Sequence, residues 1–200
     1  MLGKTALLEA IAGKNRGLLA SERDRQMILA AAAQLEDRNP TPRPTEAADR
    51  LNGNWRLLYT TSRGLLGIEQ FPLLRLGQIY QYIQMETAKI YNIAEISGLP
   101  YLEGIVSVAA NFQPLSAQRV KVNFERSIIG LQRLLDYSAA NDKAAYNFVQ
   151  QVASGGSLKA IDFSIAGREQ KGWLDITYLD EDLRIGRGNE GSIFVLTKVP

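Results

Sequence analysis

The hydrophobic pattern of this sequence changes its period at residues 40–44 (PTPRP), and this change limits the possible folds more than any other feature. Before it, apolar residues recur at helical spacing. After it, they alternate with polar residues in short segments typical of half-buried strands. Short connections rich in Gly, Asn, Asp and Pro favour antiparallel pairing, and closure would remove exposed strand edges. We therefore predict a closed antiparallel β-barrel of eight to nine strands, formed by segments 53–61, 77–84, 88–96, 104–112, 119–125, 161–165, 174–178, 183–185 and 191–198.

Two helices are predicted within the first 38 residues. The first ends at Gly13, a typical C-cap residue, and the second begins at Ser21, where Asp24 can complete a capping box. Residues 1–44 should thus form a helical segment and a stiff proline-rich linker that packs on the barrel.

The barrel is expected to occupy residues 45–200. Residues 129–156 interrupt the alternation, and we interpret them as a helical or irregular excursion. The predicted fold class is mainly β with N-terminal helices (α+β).

The composition narrows the possible functions. The 200 residues include no histidine and no cysteine, which excludes imidazole relays, thiolate nucleophiles and the usual zinc ligands. The net charge is only +2, and no Lys/Arg run interleaves with aromatic residues, so nucleic acid is not an expected partner. We predict no catalytic residue, no cofactor and no metal, and a binding function before an enzymatic one.

Three local motifs have structural explanations. Residues 186–191 spell G-x-G-x-x-G, but a strand follows instead of a helix, so a hairpin is favoured over a nucleotide site. Gly3-Lys4-Thr5 lacks the preceding loop that a phosphate site needs. The acidic cluster Asp180-Glu181-Asp182 suits a turn between two strands better than a cation site.

Gly53-Asn54-Trp55 opens the first strand after the linker and resembles the lipocalin entrance signature. An eight-stranded barrel can hold one small ligand. Asn92 and Arg126 share a strand face with apolar residues and could orient a polar head group, although Arg126 could equally lie in water at the strand end. The predicted cavity residues are Trp55, Leu57, Tyr59, Asn92, Phe112, Val122, Phe124, Arg126 and Tyr178.

The last hairpin carries Arg184 and Arg187. Either arginine can stack on Trp55 through a cation–π contact or pair with Asp180, and a structural role is favoured for both.

Together, these segments resemble the plastid lipid-associated protein, or fibrillin, family. Residues 51–62 (LNGNWRLLYTTS) are similar to its opening block, and 177–188 (TYLDEDLRIGRG) with 191–196 (GSIFVL) are similar to its closing block. Residues 35–40 and Tyr91-Asn92 also fit. The resemblance covers nearly the whole chain.

The resemblance implies a lipocalin-like barrel that binds prenylquinones, carotenoids or fatty-acid-like lipids at thylakoids or lipid globules and contributes to photoprotection. The polar positions of the family's closing block fall on Asp180, Asp182, Arg184 and Arg187. The sequence shows no transit peptide, so the resemblance favours a cyanobacterial member, peripheral on the cytoplasmic side of the thylakoid membrane. A mature plant chain would instead lie in the plastid.

Two alternatives remain open. The barrel could be filled with side chains, and the protein could dock on a membrane or a partner protein through an exposed apolar loop. The other explanation of this loop is that its side chains are buried in the core. Its residues are Leu65, Leu66, Ile68, Phe71, Leu73 and Leu74. A lipid-modifying enzyme acting through Asp180 or Tyr178 is the third hypothesis.

Overall fold

The computed structural model describes residues 2–62, 75–98, 101–155, 158–166 and 172–199. Four helices lie in this part of the chain: α1 (Leu2–Ile11), α2 (Glu22–Glu36), α3 (Ala48–Leu51) and α4 (Ala144–Ala153). The nine described strands are β1 (Gly53–Thr60), β2 (Arg75–Gln84), β3 (Lys89–Ser97), β4 (Gly104–Pro114), β5 (Arg119–Leu131), β6 (Ile161–Ser164), β7 (Gly172–Leu179), β8 (Leu183–Gly188) and β9 (Ile193–Val199).

Eight of these strands close into an antiparallel barrel in the order β1-β2-β3-β4-β5-β7-β8-β9, and β9 pairs with β1. Strand β5 is long enough to have two partners on one side. Its first part (Arg119–Val122) pairs with β7, and its second part (Arg126–Ile129) pairs with β6. The short β6 is thus an extra strand outside the closed barrel. The predicted mainly β fold, with a lipocalin-like barrel and N-terminal helices, is confirmed.

The two N-terminal helices pack on the outside of the barrel. The capping box predicted at Ser21 is present, because the Asp24 backbone N–H donates to Ser21 Oγ and the Ser21 backbone N–H donates to the Asp24 carboxylate. Gly13 has a φ of +68°, the left-handed conformation expected after a helix end. Of the helices described, none is long and apolar enough to cross a bilayer.

Buried apolar side chains form three clusters, one inside the barrel and two outside. The interior cluster includes Trp55 and Leu57 of β1. The second cluster lies between α1, α2 and the outer face of β1, β7, β8 and β9. The third lies between α4 and the outer face of β3, β4 and β5. Much of the barrel wall is therefore apolar on both faces.

Residues 129–156 are only partly an excursion. The first three residues complete β5, a 3₁₀ turn spans Gln132–Leu134, and α4 follows. Helix α4 buries Phe148 and Val149 against the barrel. The interpretation as a helical or irregular excursion is therefore wrong for 129–131, which belong to a strand, and right for the described residues that follow them.

Candidate ligand-binding site

One end of the barrel interior is covered by the segment that joins the N-terminal helices to β1. Ala47 and Leu51 from this segment pack against the interior cluster. The Trp55 indole Nε1–H donates to the Leu51 carbonyl at 2.8 Å, which fixes the indole beside this closed end. The G-x-W motif thus ties the first strand to the cover of the barrel.

A cavity lies beneath this cover. It contains about 310 Å³ of empty space, including its open mouth, and its enclosed part has room for little more than a water molecule. The walls are almost entirely apolar. They are formed by Thr45, Leu51, Ile83, Met85, Ile90, Phe112, Val120, Leu174, Ile176 and Arg184.

Three polar side chains inside the barrel form a chain of contacts. The Arg184 guanidinium lies 4.9 Å from the centre of the Trp55 ring and donates through Nη2 to Gln81 Oε1. The Gln81 amide in turn donates to Asn92 Oδ1 at 2.9 Å. Burial lowers the pKa of Arg184 to about 9, because an apolar surrounding disfavours its charged form. The predicted stacking of Arg184 on Trp55 is confirmed.

The structure brings several predicted cavity residues together. Trp55, Leu57 and Phe112 belong to the interior cluster, and Val122 packs against it. Two further residues, Asn92 and Phe124, are half-buried; Asn92 contacts Gln81, and Phe124 lies opposite Ala110 of β4. All six remain predictions as ligand contacts.

Three other predicted cavity residues lie on the outer face of the barrel, so their placement inside it was wrong. Tyr59 and Tyr178 pack in the cluster beneath α1 and α2. Arg126 pairs with Asp162 of β6 at 2.5 Å and donates to the Val152 carbonyl of α4 at 3.3 Å.

A β-bulge explains each of these errors. The register shifts between Leu57 and Tyr59 in β1, between Ile176 and Tyr178 in β7, and opposite Ala109/Ala110 in β5. An extra residue in one strand moves every later side chain to the other face. Strict alternation therefore assigns the residues before each bulge correctly and those after it to the wrong face.

The closing-block residues have different roles. Arg187 binds Glu36 of α2 in a bidentate pair at 2.7 and 2.8 Å, not Asp180, and so attaches α2 to the barrel. The hairpin predicted for the glycine motif is confirmed, because β8 and β9 flank the 3₁₀ turn Asn189–Gly191.

Asp180 and Asp182 lie in the predicted turn, where both accept hydrogen bonds from Lys4 of α1. Burial alone would raise the pKa of Asp180. The hydrogen bonds from Lys4, the Tyr178 hydroxyl and two backbone N–H groups outweigh burial and lower this pKa to about 2. The cluster thus fastens α1 to the barrel.

Sequence reasoning missed Gln81, Met85 and the covering residues Thr45 and Leu51. Gln81 could have been found, since it lies between Ile79 and Ile83 at the two-residue spacing that puts all three on one face of a predicted strand. The covering residues carry no local signal, because only the closed fold brings the linker against the barrel end.

The inner face of β4 continues beyond the closed barrel onto β5 and β6. Val106, Ile129 and Ile161 lie opposite one another in one row, and Val108, Ser127 and Phe163 form the next. Ile161 is 67% exposed. We call Val106, Val108, Ile129, Ile161 and Phe163 the apolar lip. The apolar loop predicted at Leu65, Leu66, Ile68, Phe71, Leu73 and Leu74 lies outside the described residues.

A closed eight-stranded antiparallel barrel with a covered end and an internal cavity defines a lipocalin-like protein. The PAP_fibrillin family model matches residues 1–197, so this chain belongs to the PAP/fibrillin, or plastid lipid-associated protein, family. No solved structure matches it.

Three relatives illustrate the family. The chain is 37% identical to a chromoplast-specific carotenoid-associated protein of Cucumis sativus, over 98% of this chain and 67% of that protein. It is 37% identical to a light-induced chloroplastic protein of Solanum tuberosum, over 98% of this chain and 66% of that protein. It is 36% identical to a chloroplastic plastid-lipid-associated protein of Citrus unshiu, over 98% of this chain and 67% of that protein. The chain thus spans about two thirds of the length of these relatives.

Proposed function

We propose that this protein binds a hydrophobic small molecule, a prenylquinone, a carotenoid or a fatty-acid-like lipid, inside its barrel, without catalysing a reaction. The observation that carries the proposal is the apolar cavity with Arg184 in its wall. From Arg184, hydrogen bonds lead to Gln81 and then to Asn92 inside the barrel. Ligand pockets commonly combine apolar walls with a few polar groups that fix orientation. The names of two relatives, a carotenoid-associated protein and a plastid-lipid-associated protein, agree with this class of ligand.

The energetics suit an apolar ligand. Burial of apolar surface contributes about 25 cal/mol per Å², so micromolar affinity requires roughly 330 Å² before the entropic cost of binding. A prenyl or acyl chain supplies this area. The enclosed space is smaller than such a chain, so side chains of the wall must move on binding. Met85 is suited to this movement because methionine is flexible and tolerates several packings.

The experiment uses the two tryptophans as separate reporters. Trp55 lies inside the barrel, whereas Trp173 stacks under Arg119 at 4.1 Å, away from the interior cluster. In a Trp173→Phe variant, a prenylquinone or a C12 fatty acid should quench Trp55 fluorescence. In the matched Trp55→Phe variant, quenching of Trp173 should be weak.

Extraction and mass spectrometry of the purified protein should identify a co-purifying lipid of the same class. Absence of any extracted lipid, together with no quenching of Trp55 by either ligand, would refute barrel binding.

A second candidate function, docking on a lipid surface, rests on the apolar lip. Large exposed apolar patches mark interaction sites, and this one continues from the inner face of β4. The proposed location is the thylakoid membrane or a lipid globule, and the proposed role is photoprotection.

Liposome flotation tests this second function with two matched variants. Ile161→Glu places a charge on the lip, whereas Leu19→Glu places one at a site of almost equal exposure, 68%, in the connection between α1 and α2. Liposome binding that is weaker in Ile161→Glu but unchanged in Leu19→Glu supports docking through the lip. Equal binding of both variants and the wild type would reject it.

A further inference from the structure

We propose that Arg184 is the recognition residue for an acidic head group, so that the ligand is an amphiphile with a carboxylate on an apolar chain. This inference rests on the proposed barrel-binding function and specifies its ligand class. It concerns the closed end of the barrel, where Arg184 is part of the cavity wall.

Arg184 is a buried arginine without a counter-charge. It is only 2% exposed, and no carboxylate in the described part of the chain forms an ion pair with it. Its Nη2 donates to the neutral amide of Gln81. Its Nε–H is buried and has no hydrogen-bond partner among the described residues.

Other arginines of the barrel strands show what a structural arginine looks like in this protein. Arg119, Arg126 and Arg187 are all less buried than Arg184, and each binds a carboxylate, on Asp175, Asp162 and Glu36 respectively. The most deeply buried guanidinium of the described strands is therefore without an anion, whereas each of these three less buried arginines has one. This is the reverse of what stability alone favours, since an unpaired buried charge is costly.

A carboxylate would compensate the unpaired charge of Arg184 better than a neutral head group. A quinone or alcohol oxygen could accept the free Nε hydrogen bond but would leave the positive charge uncompensated. A carboxylate would accept the same bond and neutralise the guanidinium in a site with little water to screen the pair. The low pKa of Arg184 agrees with a charge that lacks such a partner.

The rest of the cavity suits the tail of such a ligand. Apart from Thr45, the other wall residues are apolar, and they include Phe112 and Met85. Chain and head group are therefore recognised by different parts of one site, which allows the two contributions to be measured separately.

The test compares ligands that differ only in the head group. Dodecanoate, 1-dodecanol and methyl dodecanoate are titrated at pH 8 into the Trp173→Phe protein, with Trp55 fluorescence as the readout. Dodecanoate should bind at least tenfold more tightly than either neutral ligand. In Arg184→Met the preference for dodecanoate should disappear, while the affinity for 1-dodecanol should be kept. Arg184→Lys should retain part of the preference for dodecanoate. The matched control Arg119→Met removes an arginine outside the cavity and should leave the preference unchanged.

Equal binding of the acid and the alcohol to the wild-type barrel would overturn the assignment of Arg184 and leave barrel binding intact. If none of the three ligands binds but a prenylquinone quenches Trp55, this inference fails and barrel binding stands. If the prenylquinone also fails and no lipid is extracted, the proposed function fails and this inference fails with it. The comparison in the wild-type cavity decides the question even if the Arg184 variants do not fold.

Discussion

Replacing Phe112 by alanine tests whether the barrel interior is packed as described. Phe112 is 8% exposed, belongs to the interior cluster and forms part of the cavity wall. The substitution removes an aromatic ring from the wall without touching the polar chain that contains Arg184.

The expected cost follows from the buried area. A phenylalanine buries about 200 Å², and at about 25 cal/mol per Å² its near-complete burial is worth about 4–5 kcal/mol. Alanine retains a small part of this, so we expect Phe112→Ala to lower the free energy of unfolding by about 3–4 kcal/mol, within the range typical of buried Phe→Ala changes.

Urea unfolding followed by far-UV circular dichroism measures this change, with Phe163→Ala as the matched control. Phe163 lies on the apolar lip and is 42% exposed, so the same chemical change should cost only about 1 kcal/mol there. The widened cavity should also make 1-dodecanol stabilise Phe112→Ala more than the wild type, since a ligand stabilises the state that binds it. Equal costs for the two variants would refute the assignment of Phe112 to a packed interior.

Three further predictions concern the attachments around the barrel. Asp180→Asn removes the carboxylate that accepts a hydrogen bond from Lys4 and has a pKa of about 2. Because this folded-state pKa lies below the unfolded value, the native carboxylate stabilises the fold above about pH 4 and loses that effect toward pH 2. The variant should therefore lose about 1 kcal/mol of unfolding free energy in urea, after discounting for solvent exposure, and this loss should shrink from pH 4 to pH 2. A deficit independent of pH would contradict it. Tyr137→Phe removes a buried 2.8 Å hydrogen bond to Glu95 and should cost about 2 kcal/mol by the same assay; a change below 0.5 kcal/mol, on the order of a surface substitution, would contradict the contact. Ser21→Ala removes the N-cap of α2 and should cost about 1 kcal/mol, and a Ser21→Asp variant that does not recover most of this loss would argue against the cap.

The local features of this fold could be predicted from the sequence because local physics determines them. The alternation of apolar and polar residues identifies the strands, and the Ser21-Asp24 capping box identifies the start of α2. Both patterns depend on residues that are close together in the chain. The excursion was harder to predict because the end of β5 and the start of α4 follow from packing against the barrel.

The faces of the strands could be predicted only up to the first bulge. Tyr59, Arg126 and Tyr178 all follow a register shift, and a single extra residue there leaves no clear local pattern. Arg184 shows a second limit, which concerns long-range contacts. Its stacking partner Trp55 could be predicted, but its lack of a counter-charge depends on long-range contacts that only the closed barrel reveals.

The order of the elements along the chain has a consequence for synthesis on the ribosome. Helices α1 and α2 are made first, yet their apolar sides pack against residues that include Tyr178, Ile185 and Val195, about 140 residues or more after the end of α2. At typical rates of elongation this leaves their apolar surface uncovered for roughly 7–30 s. Strand β1 likewise waits for β9, its partner at the closure of the barrel. The nascent chain is therefore expected to need a chaperone that shields these helices until β7, β8 and β9 have emerged.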